Sequence, residues 1–96
     1  SMEDAQLATG DLLFVDPKEE ARSGRIVVAL VEGEPTVKWF EKEGNSIRLI
    51  PANKKYKPIV VHKSDEGFKI LGVVVGMIRA LDKKRIDEIF GYRRAS

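Results

Sequence analysis

The sequence contains no cysteine and a single histidine, His62, and both shortages restrict its chemistry. Without cysteine the chain has no disulfide, no thiolate metal ligand and no cysteine nucleophile. One histidine cannot form a histidine metal site alone. We therefore expect no metal and no cofactor. The lack of cysteine also fits a reducing compartment, so we expect a cytoplasmic protein.

Long apolar runs and an excess of one charge are missing too. The longest apolar stretch, residues 70–78, is interrupted by two glycines, whereas a membrane span needs about 20 apolar residues. We therefore expect no membrane contact. The 17 basic and 15 acidic residues leave a net charge of +2, which is too small an imbalance to indicate nucleic-acid binding by itself.

What is present is a short, strand-rich chain. Its 96 residues, 43% hydrophobic and 33% charged, predict one folded domain over 1–96. Period-two alternation and β-branched runs, separated by glycine, proline and asparagine, predict strands. These fall at 11–16, 25–32, 35–41, 46–51, 58–62 and 68–79. We expect a mainly β fold, a twisted and mostly antiparallel sheet or partly closed barrel. A hairpin loop is predicted over 32–35.

The end of the chain has a different pattern. Leu81, Ile86, Ile89 and Phe90 approximate one face of a helix, Asp82 is a suitable N-cap and a glycine follows at position 91. We therefore predict a short C-terminal helix over about 82–92.

Lys38 is the residue that most invites a functional interpretation. It lies in an apolar strand, between Thr36 and Phe40 on one face, and the preceding strand is apolar throughout. An ammonium buried there is costly and its pKa falls, and a neutral lysine is a competent general base. The ordinary alternative is a lysine that extends to solvent or protects a sheet edge.

Several motifs in a fixed order favour the interpretation of Lys38 as a general base. They are Ser1-Met2 with Asp4, Leu7 and Gly10-Asp11, then Gly24–Val31, Glu34–Lys38 (EPTVK), Leu49–Asn53 (LIPAN) and Gly72–Arg79. Together they resemble the LexA/UmuD-like self-cleaving SOS proteins of peptidase family S24, over residues 1–80. The resemblance implies the fold of the LexA C-terminal domain. In the family the strand motif ending at Lys38 carries the base.

The resemblance also implies a site and a reaction. Ser1 is expected to be the nucleophile, Lys38 its general base, and backbone N–H groups near Ser1 and Met2 the oxyanion hole. Apart from the resemblance, the Thr36 hydroxyl next to Lys38 is a candidate support for the amine, and the more common alternative is an ordinary β-branched strand residue. The reaction implied is cleavage of an upstream Ala-Gly-type bond in the DNA-damage response, with RecA filaments on single-stranded DNA as co-protease.

The family further implies partners and missing parts. We expect a homodimer formed through the last strand, Val73–Arg79. The cleavage segment, and any DNA-binding domain of a LexA-like repressor, are expected upstream and outside this sequence. DNA is then bound only through that N-terminal domain.

Three alternatives stay open at this point. A UmuD-like polymerase accessory protein has the same peptidase domain. Ser-Met is also the remnant that removal of an affinity tag leaves before an initiator methionine. If Ser1 is such a remnant, the chain is a catalytically silent dimerisation fragment. A signal peptidase shares the serine–lysine pair but needs a membrane anchor, which the sequence does not show.

Overall fold

A computed structural model of the chain describes residues 11–52, 55–79, 81–82 and 88. In chain order the strands are β1 (Leu12–Asp16), β2 (Ile26–Val31), β3 (Glu34–Glu43), β4 (Ser46–Ile50), β5 (Ile59–His62) and β6 (Phe68–Ile78). The mainly β prediction and all six strands are confirmed. The predicted helix over 82–92 lies almost entirely outside the described residues. No helix among the described residues is long and apolar enough to cross a membrane.

The loop between β2 and β3 is shorter than predicted. Glu32 and Gly33 alone form it, both with positive φ (50° and 82°), the pattern of a type I′ turn. Glu34, placed in the predicted loop, belongs to β3, and so does Pro35, which the sequence assigns to both the loop and the next strand; Pro35 lies opposite Leu30. That pair follows the hydrogen-bonded pair at the turn, so the proline nitrogen points away from β2 and no ladder bond is lost.

The six strands form one antiparallel sheet in the order β1-β6-β2-β3-β4-β5. Strands β2 to β5 follow one another as hairpins. β6 then pairs with the other side of β2, and β1 pairs with β6. The first and last strands of the described sheet therefore lie side by side. β2 pairs with residues 68–73 of β6, and β1 pairs with residues 73–78.

The connection between β5 and β6 shows how strongly the sheet curls. Lys63 donates its backbone N–H to Asn45 O at 2.9 Å. Four residues later, Gly67 O accepts the Glu32 N–H at 2.8 Å. Asn45 and Glu32 lie in the turns at opposite ends of β3, which would be roughly 30 Å apart along a straight strand of this length. Residues 63–67 reach only about 14 Å. β3 must therefore bend, and the sheet is strongly curled.

The hydrophobic core lies on the inner face of this curled sheet. It consists of one inward-facing set of side chains from four neighbouring strands: Val27, Ala29, Phe40, Ile47, Leu49 and Val73, each at most 5% exposed. Val61, Phe68 and Ile70 pack against this set. The registers explain the grouping, because Val27 is opposite Val73, and Phe40 is opposite Leu49. Side chains of directly opposed residues share a face.

Candidate active site

Lys38 lies on the core face of β3, as predicted. Its register partner on β2 is Val27, which is fully buried, and Thr36 is opposite the fully buried Ala29. Two residues further along the same face is Phe40, also buried. The lysine stem therefore runs along the edge of the hydrophobic core. The side chain itself is half-buried, so the amine is partly removed from water without being sealed off from it.

Among the described residues, two oxygen acceptors hold the amine near its own strand. Lys38 Nζ donates to Thr36 Oγ1 at 2.5 Å and to the carbonyl oxygen of Val37 at 3.3 Å. Thr36 is two residues away on the same face, which is why its hydroxyl lies within reach. These contacts restrict the rotamers of a side chain that otherwise has four freely rotating bonds. The amine is thus positioned as well as partly desolvated.

Burial lowers the pKa of the Lys38 amine below the ordinary range of lysine. Burial is the physical cause because the charged form loses hydration that the apolar neighbours cannot replace. A lowered pKa increases the neutral fraction at any given pH, and the neutral amine is the form that accepts a proton. The Lys38 amine is thus partly desolvated, and its role as general base stays a prediction.

The other predicted site residues cannot be placed in the same way. Ser1 and Met2 lie outside the described residues. Their roles as nucleophile and oxyanion-hole residue stay predictions. Among the described residues no group of three histidine, aspartate or glutamate side chains is placed to hold a metal ion.

The described chain begins with Asp11, whose carboxylate makes a bidentate ion pair. Arg79 Nε donates to Asp11 Oδ1 at 3.0 Å, and Arg79 Nη2 donates to Oδ2 at 2.8 Å. The Asp11 side chain is 5% exposed and that of Arg79 is 44% exposed. The hydrogen bond to Asp11 and its charge raise the pKa of the Arg79 guanidinium further above neutrality. The guanidinium therefore keeps its positive charge beside the Asp11 carboxylate.

Sequence reasoning did not assign a role to this pair. Both residues stand in motifs that carry the family resemblance, Gly10-Asp11 and Gly72–Arg79, but 68 positions separate them. The signal was an acidic residue directly before the first strand and an arginine directly after the last. Only the pairing of β1 with β6 brings these two residues together.

The chain also matches a known protein family. The family model described as Peptidase S24-like matches residues 1–75, more than three quarters of the sequence. This chain thus belongs to the LexA/UmuD-like peptidase S24 family, a family of peptidases. The antiparallel β fold agrees with that assignment, and the matched residues include both Ser1 and Lys38.

Proposed function

We propose that this chain is the self-cleaving serine–lysine peptidase domain of a LexA-like transcriptional repressor, with Ser1 as nucleophile and Lys38 as general base. The observation that carries the proposal is the Lys38 amine itself. It is half-buried on the core face, held by two oxygen acceptors and lowered in pKa by burial. A lysine that serves only solubility needs none of these features, whereas a lysine base needs all of them.

The hydrogen bonds of Lys38 suit a neutral amine in the proposed reaction. A neutral amine has two N–H donors and one lone pair. Thr36 Oγ1 and Val37 O accept the two donors. The lone pair then accepts the Ser1 hydroxyl proton as Oγ attacks the carbonyl carbon of the scissile bond. Thr36 is therefore proposed as a positioning residue that sets the direction of the lone pair.

The remaining steps follow the usual order of acyl transfer. Lys38 returns the proton to the leaving amine, which releases the product and leaves an acyl-enzyme on Ser1. Water, deprotonated by the same amine, hydrolyses that ester. Backbone N–H groups near Ser1 and Met2 are proposed to stabilise the oxyanion in both steps. The substrate bond is an upstream Ala-Gly-type bond of the same polypeptide, so its effective concentration is high.

The biological setting proposed is the cytoplasmic response to DNA damage. RecA filaments on single-stranded DNA are proposed to stimulate cleavage, which inactivates the repressor. DNA is bound only by a separate N-terminal domain. The modest net charge of +2 on this chain agrees with a domain that does not bind DNA itself.

A homodimer through the last strand is part of the proposal. β2 pairs with β6 only as far as Val73, whereas β1 continues on the other side to Ile78. Residues 74–79 therefore extend past the end of β2. Val75 and Met77 in this stretch are 56% and 40% exposed. A second copy of the same strand is the proposed partner, because apolar strand segments of this kind associate readily.

The decisive experiment uses the natural full-length protein that contains this domain. Self-cleavage is followed by gel electrophoresis and mass spectrometry at several pH values, with and without RecA filaments. Ser1→Ala and Lys38→Ala should each reduce the rate by at least about 10³-fold. Lys38→Arg should be equally inactive, because a guanidinium keeps its proton and cannot act as a base. The rate of the unmodified protein should rise with pH and level off above the lowered pKa of Lys38.

Lys42→Ala is the matched control. Lys42 is on the same strand, four residues from Lys38, but its side chain is exposed, so its loss should not affect the rate. Cleavage of Lys38→Ala at the unmodified rate would contradict the assignment of the base. A natural protein with a residue other than serine before Met2 would contradict the assignment of the nucleophile. In that case the chain would be a catalytically silent dimerisation fragment.

A further inference from the structure

The Asp11–Arg79 ion pair differs in kind from the other ion pairs between described residues. Those pairs are local: Glu20 with Arg22 at 3.2 Å and Glu19 with Arg25 at 3.8 Å. Their side chains are at least 40% exposed, and exposed pairs of this kind contribute little. Asp11 is nearly buried and meets Arg79 through two parallel hydrogen bonds across the sheet. A bidentate arginine–carboxylate pair fixes orientation as well as distance.

The Asp11–Arg79 pair also lies at the end of the β1–β6 ladder. Leu12 is opposite Ile78 at the end of the β1–β6 ladder. Asp11 and Arg79 are the next residues in the same register, so their ion pair extends the ladder by one side-chain step. β1 has only five residues and is an outer strand of the sheet. Short outer strands fray from their ends, and here the pair holds the end that faces the N-terminal segment.

We propose that Asp11 and Arg79 are positioning residues for the nucleophile, an inference that rests on the proposed function. Residues 1–10, which include Ser1, connect directly to Asp11. Lys38 is built into β3, whereas residues 1–10 continue along the chain directly into the start of β1. The ion pair fixes that connection point relative to β6, and β6 is bonded through β2 to β3. In this proposal the fixed connection point at Asp11 restricts where the serine hydroxyl can lie relative to the lysine amine.

The physical reason for a large effect is the steep dependence of acyl transfer on geometry. A misplacement of reacting groups by about 1 Å can reduce the rate by about 10²-fold. Loss of the ion pair frees the end of β1 without removing any group that takes part in the reaction. The Lys38 amine keeps its neighbours on β2 and β3, so its own protonation should not change.

The test measures the reactivity of Ser1 in the full 96-residue chain, using an alkyl fluorophosphonate probe that reacts with activated serines. The labelling rate is measured against pH by mass spectrometry, with Ser1→Ala as the blank. Asp11→Asn and Arg79→Met should lower the maximal rate by tenfold or more. The pH midpoint should stay at that of the unmodified chain, because Lys38 is unaffected. Arg79→Lys should reduce the maximal labelling rate less, since lysine keeps the positive charge but cannot form the second hydrogen bond.

Glu20→Gln is the matched control, because it removes one carboxylate from an exposed local pair. It should label at the unmodified rate. Circular dichroism and urea unfolding of every variant establish that labelling is measured on folded protein, and light scattering establishes the same oligomeric state. Folded Asp11→Asn and Arg79→Met that label within twofold of the unmodified chain would overturn the inference. So would a shift of the pH midpoint, because the pair would then act on Lys38.

The same measurements separate this inference from the proposed function. If the unmodified chain does not label at Ser1, or if Lys38→Ala labels equally fast, the serine–lysine mechanism fails. The inference then fails with it. If labelling depends on Lys38 but not on Asp11 or Arg79, the mechanism stands and only the positioning role is wrong.

Discussion

Lys38 shows at the residue scale how the proposed function opposes stability. Its stem packs along the hydrophobic core and its amine is held by Thr36 Oγ1 and Val37 O. Burial lowers its pKa, which means that the folded state disfavours the charged amine. At neutral pH the protonated lysine therefore costs stability. The proposed role as a base explains why a charged residue stands in a strand where an apolar one would be more stable.

The first prediction concerns the pH dependence of stability. The pKa of Lys38 is lowered in the folded state and is about 10.4 in the unfolded chain. Between these two values the unfolded state binds more protons, so the free energy of unfolding should rise with pH across this window. Lys38→Met should raise the free energy of unfolding at pH 7 and remove that part of the rise. Urea unfolding at neutral and alkaline pH measures both effects.

Lys42→Met is the control, because Lys42 is an exposed lysine on the same strand. It should leave the difference between the two pH values as it is in the unmodified chain. A Lys38→Met protein that is less stable at pH 7, with an unchanged pH dependence, would show that the amine stabilises the fold. The conflict between function and stability would then be disproved.

Gly72 controls, at the scale of the elements, how closely β1 approaches β6. A Cβ atom at this position would be 2.5 Å from Val15 Cγ1 and 2.9 Å from Asp16 O. Gly72→Ala must therefore push β1 outward, and we expect it to lower the free energy of unfolding by about 1–3 kcal/mol. In the full-length protein the same change should also slow self-cleavage, since β1 connects to the nucleophile segment. Urea unfolding and the cleavage assay measure these two effects.

Gly76 in the same strand provides the comparison. Its nearest neighbour to an added Cβ is Phe14 Cδ2 at 3.7 Å, an ordinary contact distance. Gly76→Ala should therefore be neutral, or stabilising because alanine loses less chain entropy than glycine. Equal destabilisation by the two substitutions would mean that the close approach at Gly72 is not the cause.

The β2–β3 hairpin contains an avoidable strain. Glu32 has a φ of 50° at the first position of a type I′ turn, a conformation that asparagine adopts more readily. Glu32→Asn should raise the free energy of unfolding by about 0.5–1 kcal/mol, because the backbone bond to Gly67 O is retained. Urea unfolding measures the gain. Glu34→Asn removes the same charge from an extended strand position and should give no gain. A gain there of equal size would point to charge instead of backbone strain.

The sequence predicted the elements of this fold better than their arrangement. Alternation in stretches such as Ser46–Ile50 indicates a strand directly, because one face is buried and the other is not. It does not indicate which strand is the neighbour. The pairing of β1 with β6 depends on the curl of the whole sheet, so Gly72 and the Asp11–Arg79 pair had no interpretation from sequence.

The candidate site was predictable to a similar extent. Lys38 stood out because an ionisable side chain in an apolar strand violates the local pattern. The sequence suggests Thr36 as a support for the amine but favours an ordinary strand role, and the hydrogen bond shows that the two side chains are in contact. The sequence predicts too long a loop after Glu32, because proline usually interrupts a strand ladder. The Pro35 nitrogen points away from β2, and only the register shows that.

At the scale of the whole molecule, the proposed homodimer depends on the exposed part of β6. Val75 is 56% exposed in the part of β6 that extends past β2, and the proposed dimer would cover it. Val75→Glu places a charge in that contact and should raise the dimer dissociation constant at least about tenfold. Light scattering over a concentration series measures this. Val60→Glu is the control, because Val60 is 64% exposed on β5, at the far end of the strand order. Equal dissociation by both variants would argue against a contact at β6.

The pairing of the first strand with the last has a consequence for the order of events during synthesis. β1 leaves the ribosome early, but its partner β6 is made only after all the other strands. Contacts between residues so far apart in the chain form late in folding. A growing chain can therefore complete the β2–β5 hairpins while its N-terminal segment is still unattached. In the proposed mechanism the sheet that supports the reaction would be complete only when translation has passed Arg79, so a half-made chain would not yet cleave itself.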